Sequence, residues 1–195
     1  MKSGKGCEKI IGVQESPNDF GGGSVEVQQM QAILKQWRIY LDNCCLSRPF
    51  DDQTQPRIRL ETEAIVLIIE HFYTGQWQWI SSEVSTFEAD QNLDLRQRLQ
   101  VKFLLNYVHQ TIVVSTTETS RGKYLESLGF KPFDALHIAC AENGNADLLL
   151  TTDDQMLRKA KSVSPQLRSR VENPLTWLQE VTQNEYTQPD SESDS

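Results

Sequence analysis

The chain of 195 residues, 38% of them hydrophobic, has the size of one domain and enough apolar mass for one core. Its longest apolar run, Ala64 to Ile69, is far short of the roughly 20 residues of a membrane span, and the opening MKSGKGCEKI holds no apolar stretch of signal-peptide length, so a cytoplasmic protein without membrane association is expected. A net charge of −8 argues against binding nucleic acid by bulk attraction, yet part of it lies in the tail Pro189 to Ser195, and Arg158, Lys159, Lys161, Arg168 and Arg170 form a run with no acid between Asp154 and Glu172.

In chain order, residues 1–36 read as a flexible N-terminal extension, rich in Gly, Ser and charge up to Gly23, with a short helical segment over Val25 to Gln36. Trp37 to Asp42 is a β-rich run ending in an acid, and Pro49, Asp51 and Asp52 mark the loop after it. From Pro56, Leu60, Ala64, Leu67, Ile68 and Phe72 recur at helical spacing, and Ile65 and Ile69 widen the stripe, predicting a deeply buried helix. Trp77 to Ser81 is the second strand and SEVSTFEADQ a short helix. Leu95, Leu99, Phe103 and Tyr107 mark a further helix, with Arg98 and Lys102 on its wet side.

Thr111 to Ser115 is the third strand, and a helix ends at Gly129. Pro132 opens FDALHIACAENG, a helix whose Ala135 and Ala139 permit close approach to a sheet. Leu148 to Thr151 is the fourth strand, Asp153 to Lys161 a helix, and Val171 with Pro174 to Val181 a last strand and helix. Residues 184–195 read as an acidic disordered tail, leaving 37–183 as the folded domain. The alternation predicts the α/β class: a central parallel sheet of four to five strands with helices on both faces, a three-layer α/β/α sandwich.

In such a sheet the ligand site lies at the carboxyl ends of the strands. Asp42 and Asp153 follow strands there, and Glu88 and Asp134 occupy helices expected over the same edge. Carboxylates crowded at one point repel unless protons or cations neutralise them. An oxygen-only ligand set suits Mg²⁺ or Mn²⁺, which serve phosphodiester cleavage. Each acid also has a local reading: Asp42 as a turn acid, Asp134 in a first helical turn, Asp153 in a capping arrangement with Thr152 and Gln155, Glu88 on a wet helix face. The cysteines, Cys7, Cys44, Cys45 and Cys140, lack zinc-like spacing and read as reduced thiols, with Cys44 and Cys140 buried. His137, one turn after Asp134, reads as helix packing. Trp37, Trp77, Trp79 and Trp177 read as core.

IYLDNCC resembles the opening strand and first acid of PIN domains, FDALHIACAENGNADLLLTTDD their Asp-Ala helix followed by a strand ending in Thr-x-Asp, and SEVSTFE the segment carrying their second acid. The resemblance covers Trp37 to about Val181. It implies a small α/β/α fold and a Mg²⁺- or Mn²⁺-dependent endoribonuclease acting on RNA, often as a VapC-type toxin of a type II toxin-antitoxin pair, with a cognate antitoxin as partner and a homodimer as a common state. Carried over by position, Asp42, Glu88, Asp134 and Asp153 would bind metal and act in catalysis. Thr151 would orient a carboxylate, with Asn43 and Asp154 as outer helpers, and Glu63 rivals Glu88 as the second acid. One departure is Asn43-Cys44 after Asp42, where many relatives carry a small residue and then Asn. The alternative reading is a PIN fold with weak catalysis, serving as an RNA-binding or protein-interaction module.

Overall fold

The structure, a computed structural model, describes residues 36–186; the expectations for residues 1–35 and for 187–195 lie outside the described residues. Five strands form one parallel sheet: β1 (Arg38–Leu41), β2 (Gln78–Ser82), β3 (Gln110–Ile112), β4 (Leu148–Leu150) and β5 (Arg170–Glu172), in the order β3-β2-β1-β4-β5. Eight α-helices are described: α1 (Asn43–Ser47), α2 (Pro56–Tyr73), α3 (Glu83–Gln91), α4 (Leu95–Leu105), α5 (Thr116–Ser127), α6 (Pro132–Asn143), α7 (Asp154–Ser162) and α8 (Pro174–Tyr186). None of the described helices is long and apolar enough to cross a membrane.

Successive side chains of a strand point to opposite faces, and that alternation builds two cores. Ile39, Leu41, Trp79, Leu148 and Leu150 pack with Ile65 and Ile68 of α2 and Trp177 of α8. Tyr40, Ile80 and Leu149 pack on the other face with Leu125 of α5, Ile138 of α6 and Met156 of α7. The result is a three-layer α/β/α sandwich. At the end of α6, Gly144 leaves room for a near approach to the sheet: a Cβ there would lie 2.8 Å from Ile80 Cγ2.

Several expected boundaries shift. The second strand runs Gln78–Ser82, and the third is shorter than expected, with Val113 already 64% exposed beyond the edge of the sheet. The apolar stripe of α2 is divided: Ala64, Ile65, Ile68, Ile69 and Phe72 are buried, whereas Leu60 and Leu67 face solvent. On α4 the expectation reverses. Leu95, Leu99 and Phe103 are exposed, and the inward residues are Val101, with Leu104 and Leu105 partly buried. Spacing fixes which residues share a helix face; which of two apolar faces meets the core is decided by the sheet and the helices beside it.

The strand order reverses between β1 and β4, since β2 and β3 extend one way from β1 and β4 and β5 the other. Such a switch point opens a crevice at the carboxyl ends of the two central strands. Asp42 directly follows β1, and Thr151 to Asp153 directly follow β4.

Candidate metal centre

A cleft of about 620 Å³ lies at this crevice, and Asp42, Glu88, Asp134 and Asp153 all line it. Each reaches it from a different element. Asp42 ends β1 in extended backbone and caps α1, its Oδ1 accepting from Asn43 N–H at 2.7 Å. Its Oδ2 accepts from the hydroxyl of Thr151 at 2.7 Å and from the Cys44 thiol at 2.9 Å. Thr151 is fully buried after β4, so the two central strands lock the Asp42 carboxylate between them. Cys44 is only half-buried and the buried neighbour is Cys45, which corrects the sequence expectation for Cys44.

Glu88 comes from α3, packed after β2, and Asp134 from the first turn of α6. Burial and the nearby charge of Asp42 push the Asp134 carboxyl up to about 6, against the pull of Lys131. Asp153 caps α7, accepting from Gln155 N–H at 2.6 Å and Met156 N–H at 3.2 Å, and pairs with Lys131 Nζ at 3.1 Å. Burial would raise its pKa, but the Lys131 contact and the two backbone donors hold it below the ordinary value. The capping reading of Asp153 and its place in the cleft are therefore both features of the same side chain.

His137 changes the picture drawn from sequence. It is buried, as a packed helix residue should be, yet its Nε2–H donates to Glu88 Oε2 at 2.7 Å and lies 3.6 Å from Asp42 Oδ1. Asp42, Glu88 and His137 each offer a ligand atom, all within 4.8 Å of one another. An imidazole therefore stands among the carboxylates, and with its Nε2 proton given to Glu88 it orients that carboxylate. Burial lowers the pKa of His137, but the Glu88 hydrogen bond and the charges of Asp42, Glu88 and Asp134 outweigh it and leave it raised. Its place one turn after Asp134 on α6, three residues on and hence on the same helix face, was the available signal. A spacing of three is so common that it gave no reason to choose His137 over packing.

The other nitrogen of His137 meets a buried hydroxyl chain. Tyr40 Oη lies 2.7 Å from Nδ1, 2.6 Å from Ser82 Oγ and 3.1 Å from Ser85 Oγ. Burial raises the Tyr40 phenol well above its ordinary value and keeps it protonated. With a neutral ring, Tyr40 donates to Nδ1 and leaves Nε2–H for Glu88; with a protonated ring the first bond reverses and Tyr40 donates to a serine. In both states Glu88 receives the Nε2 proton.

Asn43 lines the cleft, donating to Ser85 O at 2.9 Å while its buried Oδ1 has no hydrogen-bond partner. Asp154 does not line it; its carboxylate is held in a two-point ion pair with Arg57 at 2.8 and 2.6 Å. Glu63 is exposed on α2 and does not line it either, whereas Glu88 does.

The fold and this cluster define an α/β protein with a carboxylate-rich centre at the switch point of a parallel sheet, fit for a divalent cation by its donors and by the raised pKa of Asp134. Residues 39–162 match the family model of the PIN domain, and the chain belongs to that family. Among curated proteins none matches it. PIN domains are commonly metal-dependent nucleases, which implies a nucleic-acid substrate.

Proposed function

We propose that this chain is a metal-dependent endoribonuclease, and that Asp42, Glu88, Asp134 and Asp153 hold Mg²⁺ or Mn²⁺. The observation that carries the reading is the convergence of these four carboxylates, from four separate elements, on one cleft whose lining cations among the described residues are Lys131 and Arg98. A bound divalent ion would activate water and steady the leaving oxygen of an RNA phosphodiester. The chain's own residues prepare for it. Thr151 fixes one oxygen of Asp42, His137 fixes Glu88, and Asp134, its pKa raised by burial and by the charge of Asp42, gains from a nearby cation once it ionises. Its role as the toxin of a type II pair, held in check in the cytoplasm by a cognate antitoxin, and a homodimeric state rest on the sequence resemblance.

Cleavage of a mixed structured RNA with Mn²⁺, with Mg²⁺ and with chelator, beside Asp134→Asn, tests this reading. Metal-dependent cutting that disappears in the variant is expected. Cutting that survives chelator, or survives Asp134→Asn, removes the mechanism. A second reading, an RNA-binding or interaction module with weak catalysis, is supported by the engagement of both Asp153 oxygens with Lys131 and the α7 backbone. Its signature is a Mn²⁺-induced rise in melting temperature without cleavage.

A further inference from the structure

Two features border the cleft, and their aromatic and basic side chains take no part in holding a cation. The first is a pair of exposed phenylalanines. Phe87 and Phe133 stack with ring centroids 6.0 Å apart and planes inclined by 21°, and they are 54% and 41% exposed. Each immediately precedes one of the cleft's carboxylates, Glu88 and Asp134, and Phe133 itself lines the cleft. Large aromatic rings standing side by side in water, at the mouth of a polar cleft, are a costly arrangement for packing alone and a useful one for a planar ligand.

The second feature is a basic groove of about 450 Å³ that shares Lys131 and Asp134 with the cleft and continues along Arg158 and Lys159 of α7. Lys159 lies over Gly129, whose φ of +102° and missing side chain make the room; a Cβ there would sit 2.9 Å from its ammonium. Among the described residues neither Arg158 nor Lys159 is in an ion pair, in contrast to Arg57, Arg121 and Arg170, all of which hold carboxylates.

We propose that the Phe87–Phe133 pair is a base-stacking platform and that the Lys131–Arg158–Lys159 groove is a phosphate track, so that a single-stranded polynucleotide lies across the cleft. The inference rests on the nuclease reading for what happens to the strand once bound. Stacking on aromatic rings with a cationic track for the backbone is how sequence-tolerant single-strand binding is achieved. A duplex keeps its bases inside the stack and cannot offer them to the platform. Because every base has a π-face and every phosphate a charge, the two features select strandedness before they select base identity, and the ribose must be distinguished elsewhere.

The test uses the full chain carrying Asp134→Asn to prevent cleavage, with Mg²⁺ present. Fluorescence anisotropy reads its binding to labelled single strands of RNA and of DNA, roughly 12 nucleotides long, and to the matching RNA duplex. The expected result is preference for the single strand over the duplex, weakened roughly tenfold by Phe87→Leu with Phe133→Leu, which keep apolar bulk but remove the π-faces. Arg158→Glu with Lys159→Glu should weaken it too, and should make the dependence of log K on log salt shallower by about 1.4, the value for two lost phosphate contacts on a single strand. Arg96→Glu with Lys123→Glu, the same charge change at positions lining neither cavity, should have little effect. Circular dichroism confirms that each variant folds. Equal affinity for strand and duplex, no strand binding, or unchanged binding in the leucine pair would overturn the platform. Equal losses in the two charge-reversal pairs would overturn the track. Cleavage by the wild-type chain is read separately: metal-dependent cutting with a failed platform leaves the nuclease reading standing, and strand binding through the platform without any cutting removes only that reading.

Discussion

Of the places where the described residues bury carboxylates, two are built in opposite ways. Glu61 on α2 is 1% exposed and is answered by cations: Arg57 Nε at 2.9 Å, Arg48 Nε at 3.0 Å, and a hydrogen bond from Asn173 at 2.9 Å. Around Asp42, 7% exposed, stand Glu88 and Asp134, with hydroxyl, thiol and amide donors and the His137 ring 3.6 Å away, but no lysine or arginine within ion-pair distance among the described residues. A buried acid that already has its counter-charge is a structural element. A buried acid surrounded by other acids leaves a deficit of positive charge that Lys131 and His137 fill only in part, and that deficit is what a divalent cation can use.

The largest loss of stability is expected at Glu61. Glu61→Ala should cost about 2–4 kcal/mol by chemical denaturation, because it takes the nearest carboxylate from the largely buried Arg48 and a partner from Asn173, while the exposed Arg57 keeps Asp154; a loss under about 1 kcal/mol would mean the pair is no more than a surface contact. The same kind of change in the cleft should leave stability intact and remove activity. Asp42→Asn is expected to lower metal-dependent cleavage by roughly 100-fold or more, read as kcat/KM on one RNA, with the unfolding midpoint retained. His137→Gln should weaken Mn²⁺ binding by roughly tenfold, the usual cost of losing a partner that orients a ligand. Calorimetry checks this, and an unchanged Kd would confine His137 to packing.

The smallest effect sharpens the contrast by pH. Asp134 is held at about 6 instead of the ordinary 3.8, so the folded chain binds this proton more tightly than the unfolded chain. Its contribution to stability is therefore full below 3.8 and is lost as the pH rises through about 6. Melting curves of the metal-free protein should show a fall across that window that is absent in Asp134→Asn. At pH 7.5 the variant should be the more stable by about 1 kcal/mol, the shift being discounted for a half-exposed group. Saturating Mn²⁺ should reverse that order, since only the wild type gains from the ion. An Asp134→Asn protein that melts lower at neutral pH would mean that Asp134 is not under charge stress.

Much of this arrangement follows from local pattern. The alternation of strands and helices gave a parallel sheet with helices on both faces, and acids placed just after Leu41 and Thr152 pointed to the carboxyl edge, because parallel strands bring their ends to one side. The helices α2 and α4 show where pattern stops. Both carry apolar residues at helical spacing, yet α2 buries Ala64, Ile65, Ile68 and Phe72, while α4 buries Val101 and turns Leu95, Leu99 and Phe103 to water. Periodicity names the members of a face and says nothing of what stands opposite it.

The same distinction holds at the centre of the cleft. Sequence alone determined the chemical types present, the strand ends that carry them and the family they resemble, since these are properties of residues within a few positions of one another. Only the tertiary structure decided that His137 turns to Glu88 across 49 residues, that Thr151 reaches Asp42 across 109, and that Asp154 is drawn off by Arg57 instead. Those contacts depend on the order in which strands pair and the depth at which helices settle on them, and a side chain three residues along a helix looks the same in sequence whether it meets a carboxylate or a leucine.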